Sequence, residues 1–159
     1  MTNGARAADP LARIRRYLLA LVTFGTVATT ADLLLLAHYE DTKQLIPLTL
    51  NGLALLAIAW YLVGGTGNSI RLLQLVMTAF VLAGMVGVVL HYQGNLEFQL
   101  DIDPSQSHWT LFSKVMRAKA PPALAPGAMA QLGLLGLIYA YRHPALDQSS
   151  PSTTVDKGA

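Results

Sequence analysis

Four long apolar runs separated by polar breaks dominate the chain. They cover residues 17–37, 45–63, 70–90 and 123–141. Each has about 19 to 21 residues, the number needed to cross about 30 Å of hydrocarbon at 1.5 Å per residue. The pattern predicts an all-α polytopic membrane protein: an antiparallel bundle of four transmembrane helices within residues 17–143. A basic segment, 1–16, precedes the bundle, and a tail expected to be disordered, 144–159, follows it. Pro47 and Pro126 fall near the starts of the second and fourth runs. Proline is tolerated there, because the first turn of a helix does not use its N–H groups. The first run follows a basic stretch, as a signal peptide would. It continues through Leu33, Leu34, Leu35 and Leu36, past the small residues Ala28 and Ala31, so it reads as a retained helix.

The breaks differ in kind. Gly64 to Ser69 resembles a phosphate cradle in composition, but it has no lysine and no preceding strand, so it reads as a tight turn. The outer loop, 91–122, is long enough to carry structure or a task of its own. Within it, Ser107 to Ala120 suits a short amphipathic helix. Trp109, Phe112, Val115 and Met116 share one face, and Lys114 and Arg117 lie elsewhere. Two readings stand side by side: a helix lying on the outer membrane surface, or a loop packed over the bundle.

Composition strengthens the membrane reading. Hydrophobic residues make up 53% of the chain and charged residues 13%. A soluble domain carries about 25% charged residues. There is no cysteine, which excludes disulfides, thiolate metal sites and thiol redox chemistry. A net charge of +2 is too small to argue for nucleic acid. The distribution of basic residues sets an expected orientation. With the N-terminus inside, Arg6, Arg13, Arg15, Arg16, Arg71, Arg142 and Lys157 lie inside, and Lys43, Lys114, Arg117 and Lys119 lie outside. This bias favours both termini in the cytoplasm. Tyr17, Trp60, Tyr61, Tyr139 and Tyr141 fall at the inner interface, and Tyr39, Tyr92 and Trp109 at the outer one.

Three features bear on chemistry. The first is an internal echo: His38-Tyr39-Glu40-Asp41 ends the first run, and His91-Tyr92-Gln93-Gly94-Asn95, with Glu97, ends the third. If the two ends meet, His38 and His91 become candidate ligands for haem or a divalent metal, with Glu40 and Glu97 on the same side. Structural, interfacial and pH-sensing roles are the alternatives. The second is Asp32, an acid about 8 Å deep in the first run if that helix extends to Ala37. Asn51 and Gln131 fall in the outer halves of the second and fourth runs. The three polar groups are therefore expected to meet inside the bundle, as a register-fixing cluster or as a ligand or proton site. The third is small-residue spacing: Ala79, Ala83 and Gly87 in the third run, Gly136 and Ala140 in the fourth, suited to close helix packing.

The His38-Tyr39-Glu40-Asp41 stretch, His91 to Phe98, and Leu124-Ala125-Pro126-Gly127-Ala128-Met129-Ala130-Gln131 to Leu137 together resemble small, uncharacterised bacterial four-helix inner-membrane proteins. The resemblance covers about residues 17 to 143 and implies a bacterial inner-membrane location; it implies no activity. The functional expectation is a non-enzymatic accessory or small-ligand-binding component acting at the outer, periplasmic face. Its partners would be the bilayer and either a larger membrane complex or further copies of itself. The alternative is a metal- or haem-binding redox or transport protein using His38 and His91. No nucleophile–base pair argues for an enzyme.

Overall fold

A computed structural model describes residues 9–147, and every regular element in them is helical. Arg6, Lys157, the first residues and most of the tail expected to be disordered lie outside the described residues. The elements are α1 (Pro10–Leu35), a 3-10 turn (Thr42–Gln44), α2 (Leu45–Gly64), α3 (Gly67–Ile102), α4 (His108–Met116), α5 (Ala125–Ala140) and α6 (Pro144–Asp147). The single turn of α6 occupies the start of the expected tail and buries Ala145.

Three helical segments are long and apolar enough to cross a membrane: α1, α2 with its leading 3-10 turn, and α3. The fourth apolar run forms a shorter helix. At 1.5 Å per residue, the 16 residues of α5 span about 24 Å. α1 starts earlier than its apolar run because Asp9 caps it, accepting from the Leu11 N–H, and Pro10 occupies the first turn. α1 also ends earlier than expected. The His38 N–H donates to the Leu33 carbonyl and the Ala37 N–H to Leu34, with Ala37 at φ +50°. This is a Schellman closure with alanine where glycine is usual.

α3 departs most from expectation. It runs 36 residues, so 91–102 is helix and only the remainder of the expected outer loop is left to α4 and its connections. Polarity begins at His91, but the next proline is Pro104. Loss of apolarity marks where a helix leaves lipid; it does not end the helix. Asp103 ends it: a residue before proline is driven to extended backbone, here φ −152°. The Asp103 carboxylate accepts from the Ser105 hydroxyl and N–H, which holds its pKa below the usual value.

α1 packs on α2 and α5, and α3 packs on α2 and α5, so these four helices form a ring, crossed at one end by the contact of Tyr61 on α2 with Tyr139 on α5. The tightest seam joins α3 to α5. Gly84 meets the backbone of Pro126 and Ala130, Gly87 meets the Pro126 ring, Gly133 meets the Met77 carbonyl, and Gly136 meets the Met77 side chain. Gly87 and Gly136 of the expected small-residue stripes lie in this seam, together with Met77, Phe80 and Gly84; Ala83 packs, partly buried, against the core. The turn between α2 and α3 closes as the sequence suggests. Gly65 at φ +58° caps α2, and the Thr66 hydroxyl accepts from the Ser69 N–H to start α3.

Candidate functional site

The two outer histidines come together. The Schellman closure projects His38 beyond α1, and His91 continues α3 one turn past Gly87. Their ring centroids are 6.5 Å apart, tilted by 31°. Both are half-buried. The His91 Nδ1 lies 2.9 Å from the Gly87 carbonyl. A carbonyl only accepts, so Nδ1 carries the hydrogen and Nε2 of the neutral ring is free to accept or to ligate. Glu40 and Glu97 are both exposed. Among the described residues no group of three or more His, Asp or Glu is placed to hold a metal ion, so neither carboxylate completes a set with the two imidazoles.

The three buried polar groups expected inside the bundle do not assemble. Asn51 alone is inside, 2% exposed, with its Nδ2 donating to the Thr29 hydroxyl at 3.3 Å. Its Oδ1 is buried and has no hydrogen-bond partner among the described residues. Asp32 and Gln131 are exposed on α1 and α5, and their side chains make no hydrogen bond to any described residue. The physical reason begins with the α1 terminus. Because the helix stops at Leu35, Asp32 lies in its last turn, about 4.5 Å from the end, where a carboxylate is far cheaper than at the depth expected. Thr29 takes the place expected for Asp32 as the partner of Asn51. Its own hydroxyl donates back to the Gly25 and Thr26 carbonyls.

No protein-family model, curated protein or solved structure matches the chain.

A second polar cluster, at the opposite end of α1 and α5, has no counterpart in the motifs of the sequence. The Arg15 guanidinium donates to the carbonyls of Arg142, at 3.0 Å, and Tyr141, at 3.4 Å. Gln74 on α3 donates to the Ala140 carbonyl. Buried His143 accepts the Ala145 N–H at Nδ1 and stands 3.3 Å from the Tyr61 hydroxyl at Nε2. The backbone donor fixes the tautomer: Nε2 carries the hydrogen and donates to Tyr61. Tyr139 packs against both rings and is buried, not lipid-facing as an interface aromatic would be. Burial, reinforced by the charge of Arg15, pushes the His143 pKa down. The signal available in sequence was a histidine between the last apolar run and Pro144. The residues of this cluster tie α1, α2, α3 and α5 into one end, which is a structural task.

An open groove lined by Thr42, Leu45, Ile46, Thr49 and Leu50 contains none of the residues named for either outer site.

Proposed function

We propose that the chain is a four-span antiparallel membrane bundle, with both termini on the cytoplasmic side of a bacterial inner membrane. In this reading it serves as a non-enzymatic accessory subunit of a larger membrane assembly. The carrying observation is the Gln131 side chain, exposed on an apolar helix without a hydrogen-bond partner among the described residues; Asp32, exposed in the last turn of α1, is a second such side chain at the helix end. Gln131 lies mid-way along α5, where lipid offers nothing to its amide. Polar groups in that setting are satisfied by another helix. A span as short as α5 is accommodated by local bilayer thinning or by association with neighbours. Reporter fusions at Gln106 and at the C-terminus test the topology and should fall on opposite sides of the membrane. Mild-detergent purification from native membranes tests the assembly. The wild-type chain should migrate with a second membrane subunit, and Asp32→Leu with Gln131→Leu should release it while leaving the bundle folded. A wild-type chain that purifies alone, or a double variant that keeps its partner, refutes the reading.

The contact between His38 and His91 supports a second reading, a two-imidazole metal or haem site at the outer end. Further ligands would come from solvent or from the partner subunit. Metal analysis and visible absorption of the native-membrane preparation test it: a stoichiometric metal or a Soret band lost in His38→Ala supports the site, and unchanged occupancy in that variant removes His38 as a ligand.

A further inference from the structure

The apolar run of α3 ends at Leu90, and Tyr92 follows at the level where the helix leaves lipid. α4 packs against α3 at this level. Phe112 lies against Tyr92, with centroids 6.4 Å apart, and the Asn95 amide reaches the carbonyls of Val115 and Ala120. α4 turns Val115 into the protein, where it is fully buried. Beside that stripe, at i, i+3 and i+7, run Trp109, Phe112 and Met116. Trp109 is 76% exposed and Phe112 43% exposed, and their rings stack on each other. Thr110 and Lys114 occupy the far side of the helix, both exposed. Lys114, Arg117 and Lys119 bring three exposed cations within six residues, and no acidic residue occurs from Pro104 to Leu146. The acids of this region, Glu97, Asp101 and Asp103, are confined to the α3 extension and its cap.

We infer that α4 is an interfacial anchor that docks on anionic lipid headgroups, with Trp109, Phe112 and Met116 dipping to the acyl boundary, Arg117 and Lys119 at the phosphates, and Lys114 adding positive charge from the water-facing side. A helix with one apolar stripe, a tryptophan at the water boundary and a cationic rim binds a membrane surface by adding buried apolar area to attraction for negative lipid. The side of α4 not used by the protein has this composition, and it lies at the level of the lipid boundary on α3. The inference rests on the membrane-spanning reading of the bundle.

The chain has two tryptophans, so Trp60→Phe leaves Trp109 as the only one, and Trp109→Phe leaves Trp60. Each variant is placed in nanodiscs of neutral or of mixed neutral and anionic phospholipid, and its emission is quenched either by lipid-attached nitroxide or by aqueous iodide. Trp109 should be quenched by shallow nitroxide and shielded from iodide, and both effects should grow with anionic lipid. Lys114→Gln, Arg117→Gln and Lys119→Gln together should abolish that growth. Free access of iodide to Trp109 with no nitroxide quenching overturns the anchor. Equal quenching in neutral and anionic discs overturns its lipid preference. Trp60, on α2, is the control for the underlying reading: nitroxide quenching of Trp60 without Trp109 isolates a failure of the anchor, and quenching of neither means the bundle does not span the bilayer.

Discussion

A single methyl group added at Gly84 tests the α3–α5 seam. A Cβ at that position would stand 2.6 Å from the Pro126 carbonyl oxygen and 2.7 Å from the Ala130 nitrogen. Both are backbone atoms of a helix and cannot be rotated aside. Ordinary contact begins about 3.4 Å away, so α5 would have to retreat by about 0.8 Å at this point, carrying Gly133 and Gly136 with it and opening the contact of Gly87 with Pro126. Overpacking of this sort costs about 1–3 kcal/mol, against about 1 kcal/mol gained from replacing glycine by alanine within a helix. Gly84→Ala should therefore destabilise on balance. Gly94, in the same helix, provides the opposite sign. A Cβ there meets nothing within 4 Å. Gly94→Ala should keep the propensity gain alone and stabilise the helix by about 1 kcal/mol. Thermal unfolding in detergent, followed by helical circular dichroism, reads both. Gly84→Ala unfolding at or above the wild-type temperature, alongside Gly94→Ala, would refute the close approach of α3 and α5.

Three further outcomes are expected. His143 is held neutral with a pKa below its ordinary 6.5, so its contribution to stability is complete above that value and is lost as pH falls through the depressed one; melting temperatures across mildly acidic buffers should fall in the wild type and less steeply in His143→Gln. Ala37 sits at φ +50°, where an L side chain costs about 1–2 kcal/mol; Ala37→Gly should raise the unfolding temperature, and a fall would mean that glycine's freedom in the unfolded chain outweighs the relief. Asn51→Leu removes one hydrogen bond to Thr29 together with the unpartnered Oδ1. It should cost less than Asn51→Ala, which also leaves a cavity, and equal losses in denaturation curves would contradict this.

The helices were legible because spanning length is written directly in apolarity. Their ends and faces were not. Reading the end of lipid-like composition as the end of helix cut α3 short at Leu90, because His91 to Asp101 is largely polar yet contains no proline, and its one glycine, Gly94, weakens a helix without ending it. Counting depth for Asp32 from Ala37 put it too deep, since a left-handed alanine is not a termination signal in sequence. The face of Asp32 was illegible for a different reason. α1 is apolar nearly all round above Tyr17, so no stripe distinguishes the side that meets neighbours from the side that does not. The pairing of His38 with His91 was visible because both follow the same kind of run at the same end. His143 was not, because its partners, Tyr61 and Arg15, are brought to it only by the closing of the helix ring.

That closing has a consequence for how the protein is made. Arg15, near the start of the first helix, grips the carbonyls of Tyr141 and Arg142, which are synthesised after every other helix of the ring. α1 therefore enters the bilayer long before its neighbour α5 exists, and must reside there with one flank uncovered. Its threonines are prepared for that wait. The hydroxyls of Thr23, Thr26, Thr29 and Thr30 each donate to a carbonyl of their own helix, to Leu19, Val22, Gly25 and Thr26 in turn. None of these groups depends on a later helix for its hydrogen bond, so the polarity inside α1 adds no penalty to its early insertion. The segment that follows α5 then acts as the latch, and a chain truncated before Tyr141 would leave Arg15 reaching for carbonyls that were never made.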